Sequence, residues 1–203
     1  MLSYPIEAAI KSGLFESVIV STEDKEIAEV SLSVGAQVFE RPARLAEDRS
    51  TVVQVCLNVL ETLYDKKSLP DYFCCIYATA LLITKDDLMK SFEYLHKYQA
   101  DFVMGVSEYD LYPGLALEEK DGYLHPKWQE FFNLQSQFQP RLVASNGTIY
   151  WASIPIFLET KSFYGKKLKG YLMTRTSAVD IDTPDDFRIA KIIASEVLSD
   201  RSS

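Results

Sequence analysis

The sequence predicts an α/β fold: a mostly parallel β-sheet covered by helices on both faces. Three observations carry this. Short runs of β-branched and apolar residues alternate with stretches whose apolar residues recur at helical spacing. The connections between them are short. The strand runs are apolar at successive rather than alternate positions, as in Ser17-Val-Ile-Val-Ser21 and Asp71 to Tyr77, which is the pattern of strands buried on both faces.

The elements follow in order. Ser3 to Leu14 reads as a helix ending at Gly13, and Ser17 to Ser21 as a strand. Asp24 caps a helix that runs through Val34 and stops at Gly35. Ala36 to Phe39 is a short strand. Thr51 to Tyr64 places Val52, Val53, Val55, Cys56, Val59, Leu60 and Leu63 at helical spacing. Asp71 to Tyr77 is a strand, Asp86 to Tyr98 an amphipathic helix, and Ala100 to Val106 another buried strand. Residues 108–146 then lose any period and are rich in Tyr, Gln, Pro and Phe. They read as an arm inserted into a single domain spanning residues 1–203, suited to a dimer contact. The chain returns to the sheet at Gly147 with the strand Thr148 to Ala152. Tyr171 to Thr174 is a further strand. Asp182-Thr-Pro-Asp-Asp186 opens the last helix, with a cap, a proline in the first turn and acids at the positive helix end. Doubly wound folds usually begin with a strand near the middle of the sheet. This chain begins with a helix, so the expected sheet lacks its usual first strand.

Composition narrows the function. The 203 residues are 47% hydrophobic and 25% charged, ordinary for one soluble domain. No apolar run is long enough to span a bilayer, and the N-terminus has no basic segment of a signal peptide. Cys56, Cys74 and Cys75 show no zinc spacing and suit a reduced, cytoplasmic protein. A net charge of −8 with scattered basic residues argues against nucleic acid as partner, but allows one small anionic ligand. The eight glycines form neither G-x-G-x-x-G nor G-x-x-x-x-G-K, and no HExxH or serine elbow is present. Of the only two histidines, His96 reads as a surface residue of an amphipathic helix, and His125 lies in the inserted arm beside Pro126.

Three places could carry chemistry. Asp180-Ile-Asp182 could turn two carboxylates to one site ahead of a helix, a donor set that suits Mg²⁺ on phosphate oxygens. From spacing alone the commoner reading of the same residues is a helix cap with an acidic first turn. Arg41, in the polar loop that continues to Ser50, could hold a base or phosphate beyond a strand end, or form a local ion pair with an acid of that loop. Thr22 ends a strand where a helix cap is also expected.

These residues together resemble a known family. Ser3 to Thr22 is similar to the region after the nucleotide loop in acylneuraminate cytidylyltransferases. Arg41-Pro-Ala-Arg-Leu-Ala-Glu-Asp48 resembles the family's RPxxLAxD loop, Cys74 to Ala80 a segment of pseudaminic acid cytidylyltransferases, Asn146-Gly-Thr-Ile-Tyr150 the NGxIY strand, and Asp180-Ile-Asp182 the metal-binding DxD. The motifs stand in family order from residue 3 to about residue 190. The resemblance implies a Rossmann-like nucleotidyltransferase fold of the glycosyltransferase-A type. It implies transfer of CMP from CTP to an acidic nine-carbon sugar with release of pyrophosphate, with Mg²⁺ held by Asp180 and Asp182 as the catalytic centre. It implies that Arg41 and Ser50 contact the cytidine, with Thr22 nearby, and that the arm makes a homodimer.

The departures imply a degenerate or shortened member. The family begins with a strand and a loop of the type ARxGSKxxxxKN, about 25 residues that this chain does not contain. Without that cradle, losses of roughly 10³ in rate are expected. Leu81 stands where relatives have proline, Leu115 where they have lysine, and Gln135 or Ser136 where they have arginine. Two alternatives accompany the enzyme reading: an inactive relative that binds a nucleotide or a partner subunit, and another transferase such as the CMP-Kdo synthetase type.

Overall fold

The computed structural model describes residues 1–63, 70–174, 176–179, 181 and 183–200. Helix α1 (Ser3–Ser12) ends where Gly13 adopts φ 67°, a left-handed cap that favours glycine. Strand β1 (Ile19–Thr22) leads into α2 (Lys25–Ser33), whose cap Asp24 accepts from the Ile27 N–H at 2.9 Å. Strand β2 (Gln37–Glu40) pairs parallel with β1, Val20 opposite Val38. Then come α3 (Val52–Leu63), β3 (Tyr72–Ile76) and α4 (Lys85–Lys97). Thr84 and Asp87 close a capping box on α4, so this helix starts one residue before the sequence pattern predicts.

After β4 (Phe102–Glu108) the chain leaves the sheet. It forms a hairpin of β5 (Leu117–Lys120) and β6 (Tyr123–Pro126), then the short helix α5 (Gln129–Phe132). It returns as β7 (Val143–Ser153), followed by α6 (Ile154–Thr160), β8 (Leu168–Leu172) and α7 (Pro184–Asp200). β7 begins four residues before Gly147, because Val143, Ala144 and Ser145 pair with Glu108, Ser107 and Val106. β8 lies earlier than the predicted Tyr171 to Thr174, set by its parallel pairing of Leu168 with Phe102.

The four-stranded sheet has the order β3-β7-β4-β8. β3, β4 and β8 share one direction, and β7 runs against them between β3 and β4. One face packs on α1 and α4 through Ala9, Leu88, Leu95 and Trp151. The other packs on α3 and α6 through Leu60, Tyr150 and Phe157. Trp151 and Tyr150 reach opposite layers because successive strand residues alternate in direction. Trp151 stacks on Phe15 and donates from Nε1 to Ser91 Oγ at 2.9 Å, which satisfies its one polar group inside the core. β1 and β2 form a separate pair.

Candidate functional site

The carboxyl ends of β1 and β3 and the loop after β2 border a common cavity of about 790 Å³. Strand carboxyl ends are where open α/β sheets receive ligands. Arg41 leaves the end of β2 and turns back over β1. Its Nη2 donates to the Ser21 carbonyl, and its Nε lies 3.5 Å from the Glu23 carboxylate. The side chain is 29% exposed, and Nε is buried without a hydrogen-bond partner among the described residues. A partly buried guanidinium in a cavity wall suits recognition of an anion or a carbonyl-bearing base.

Ser50 lines the same cavity. Its hydroxyl donates to the Arg44 carbonyl at 3.1 Å and its N–H to the Glu47 carbonyl, so it also closes the loop that Arg41 opens. Buried Leu45 anchors that loop. Thr22 is buried, and its Oγ1 accepts from the Asp24 N–H at 3.1 Å. It sets the turn into α2 and is not among the residues lining the cavity that holds Arg41 and Ser50.

Tyr77, just past β3, faces the same space. Burial, then the neighbouring Tyr150 phenol, pushes its hydroxyl well above the ordinary range, so it stays protonated. Tyr150 in turn shares a 2.6 Å hydrogen bond with Ser145. Cys56 and Cys74 are held as thiols. Cys56 is raised by its hydrogen bond with Cys75 and then by burial, and Cys74 is raised by burial.

At the ends of β4 and β8 a buried polar cluster forms. Asn146 donates to Ser107 at 3.2 Å, and Thr148 donates to Asn146 Oδ1 at 2.6 Å and lies 3.0 Å from Met173 Sδ. Past β8 the chain turns, and Val179 and Ile181 pack against Leu81 and Leu82 of the loop after β3, together with Ala190 and Ala194 of α7. Asp180 and Asp182 themselves lie outside the described residues. Val179 and Ile181 are not in a strand, so the strand alternation expected for this segment does not extend to them. The cap of α7 is Thr183, whose Oγ1 accepts from the Asp186 N–H at 3.2 Å while its own N–H donates to the Asp186 carboxylate at 2.8 Å. The capping role that competed with a metal role for the aspartates is therefore filled by Thr183. No group of three or more potential metal ligands occurs among the described residues.

The sequence model of the family described as Cytidylyltransferase matches residues 1–143, from α1 into the arm. The chain belongs to the cytidylyltransferase family. It is 30% identical to the pseudaminic acid cytidylyltransferase of Campylobacter jejuni subsp. jejuni serotype O:2, over 95% of this chain and 84% of that protein. It is 29% identical to the N-acylneuraminate cytidylyltransferase of Escherichia coli O18:K1:H7, over 94% of this chain and 45% of that one. Among solved structures, a CMP:2-keto-3-deoxy-manno-octonic acid synthetase complexed with CTP superposes with a TM-score of 0.64 at 11% identity, covering 98% of this chain and 88% of that one, a likeness of fold. The fold is the Rossmann-like α/β fold of nucleotidyltransferases. Within this cytidylyltransferase, sequence reasoning placed Arg41 and Ser50 on one cavity. It named Tyr77 and the Asn146–Thr148 pair only as parts of motifs and gave them no role, although a polar pair inside an otherwise apolar strand was a visible signal.

Proposed function

We propose that the chain binds CTP at the carboxyl ends of β1 to β3 and transfers CMP to an acidic nine-carbon sugar of the pseudaminic, sialic or legionaminic type, releasing pyrophosphate. The observation that carries this reading is the shared rim: Arg41, Ser50 and Tyr77 border one cavity, and Val179 and Ile181 pack against Leu81 and Leu82 of the loop after β3. The relatives' names supply the sugar class: pseudaminic acid, N-acylneuraminate and N,N'-diacetyllegionaminic acid.

The chemistry divides among residues. Arg41 orients the nucleotide through its guanidinium, held in place by the Ser21 carbonyl and the Glu23 carboxylate. Tyr77, kept protonated, offers a hydrogen-bond donor and a ring on which a base can stack. Asp180 and Asp182 would hold Mg²⁺, which would neutralise phosphate charge as the sugar's 2-hydroxyl attacks the α-phosphate. Two carboxylates suit that ion, which takes few protein ligands. The arm, which exposes Leu111, Tyr123 and Phe138, serves as the contact of a homodimer. Three free cysteines suit the cytoplasm. Among the described residues no helix is long and apolar enough to cross a membrane.

A second reading, a nucleotide-binding relative without turnover, is favoured by the departures from the family pattern. Leu81 is buried against Leu82 and Ala190, and Leu115, Gln135 and Ser136 place no cation on the arm. The test is pyrophosphate release from CTP with Mg²⁺ and a panel of nine-carbon acids. Release that requires CTP, Mg²⁺ and one of the acids supports transfer. CTP binding without release from any acid assigns the chain to the second reading, and absence of CTP binding contradicts both.

A further inference from the structure

β8 ends the order of its sheet: it pairs with β4 on one edge, and among the described residues no strand pairs with it on the other. Its register decides which backbone groups stay open. The Lys167 carbonyl accepts from the Phe102 N–H at 3.2 Å, and the Met173 N–H donates to the Val106 carbonyl at 2.9 Å. Residues that bond a neighbour alternate along a strand with residues that face away, so Lys169 and Tyr171 pair with β4. The N–H and C=O groups of Leu168, Gly170 and Leu172 therefore point outward. Lys169, Gly170 and Leu172 are exposed, so this ladder stands in solvent.

The edge is charged against the rest of the molecule. The chain has a net charge of −8, yet Lys166, Lys167 and Lys169 stand together at this strand. Lys97, at the end of α4, joins them: its Nζ lies 5.3 Å from the centre of the Tyr98 ring, and that of Lys169 lies 4.7 Å from it. Among the described residues none of these lysines forms an ion pair. Asp86 and Asp87 face the other end of β8 at Tyr171, and Asp87 is engaged there by the Tyr171 hydroxyl and the Thr84 N–H. Side chains alternate along the strand, so Lys167 and Lys169 share one face with Tyr171, and Leu168 and Leu172 share the other. Leu172 is 45% exposed.

We infer that the free edge of β8 docks an extended acidic segment of a partner protein as an added strand, its acids beside Lys167 and Lys169 and its apolar residues beside Leu168 and Leu172. Charge decides the occupant. A second copy of this edge would set lysine against lysine, which disfavours self-pairing. An acidic strand is attracted by the same lysines, and the open ladder fixes its register. A helical ligand or a free anion would leave the outward groups of Leu168, Gly170 and Leu172 without a protein partner. The inference rests on β8 and is independent of the nucleotide reading, whose residues lie at β1 to β3.

The test uses residues 1–203 and two capped peptides, Glu-Val-Glu-Val-Thr and the same residues in reverse order, one for each strand direction. Amide hydrogen exchange is the readout. The Leu168, Gly170 and Leu172 amides exchange fast in the free chain and slow at least about tenfold at saturating concentration of one of the peptides. Higher salt weakens this protection. Peptides with lysine in place of glutamate, or with every backbone nitrogen methylated, give none. Lys167→Glu with Lys169→Glu reverses the preference between the glutamate and lysine peptides, and the methylated peptide keeps the test decisive should that variant fail to fold. The inference is overturned if the three amides are already protected in the free chain, if neither glutamate peptide protects them, or if the lysine or methylated peptide protects them equally. Protection that rises with protein concentration alone identifies a second copy as occupant and also overturns it.

Discussion

β4 and β3 are both short apolar strands, yet they are packed differently. In β4, Phe102, Val103 and Met104 are at most 4% exposed. In β3 every residue is half-buried. β4 has β7 on one edge and β8 on the other, with helices on both faces; β3 has β7 on one edge and the cavity on the other. The contrast teaches that apolar composition does not fix burial in a sheet. Occupancy of both edges does, and here it divides the molecule into a closed half and an open half.

Substitutions can sharpen or break this comparison. The largest effect is expected in the closed half. Phe102→Ala should cost about 3–5 kcal/mol in urea denaturation, because the ring is 1% exposed. It also packs so closely on Gly165 that a Cβ there would lie 2.4 Å from the ring. Gly105→Ala comes next, at about 1–3 kcal/mol, since its Cβ would fall 2.5 Å from Thr148 Oγ1 and 2.7 Å from Asn146 Oδ1.

Tyr171→Phe removes the 3.0 Å hydrogen bond to Asp87 and should cost about 0.5–1.5 kcal/mol. It also carries a pH signature. Burial, then the Asp87 charge, raises the Tyr171 hydroxyl above its ordinary value. A group with a raised folded pKa contributes stability that is intact below the unfolded value of about 10 and is lost as pH rises through the folded one. The urea midpoint should therefore fall above about pH 10, and less steeply in the variant. An equal fall in both would place the alkaline loss elsewhere. The smallest effect is expected at the open edge. Val20→Ala should cost less than about 1 kcal/mol, since the side chain is only partly buried. A cost matching that of Phe102→Ala would mean that the gap is closed in solution.

Much of the fold was legible because local signals agreed with the global one. Gly13, Asp24 and Gly35 punctuate α1 and α2 as their chemistry requires. The reversal of β7 was not legible. Its first residues, Val143 to Ser145, are short of apolar pattern and become a strand only by pairing with the end of β4. The choice between Asp182 and Thr183 as cap was also hidden, because adjacent residues both compete for that place and only geometry selects one. In the site, Arg41 was visible from its motif. The contacts with the Ser21 carbonyl and the Glu23 carboxylate, which hold its guanidinium in the cavity wall, come from packing between two loops distant in sequence.

The site assignment is tested most directly by isothermal titration of CTP, with and without Mg²⁺, into the unmodified chain and Asp182→Asn. The account predicts that the variant keeps its melting temperature and loses at least about tenfold of its Mg²⁺-dependent CTP affinity, as removal of one ligand from a two-carboxylate site requires. A melting temperature lower by many degrees with unchanged Mg²⁺ dependence would contradict it, leaving Asp182 a structural residue only.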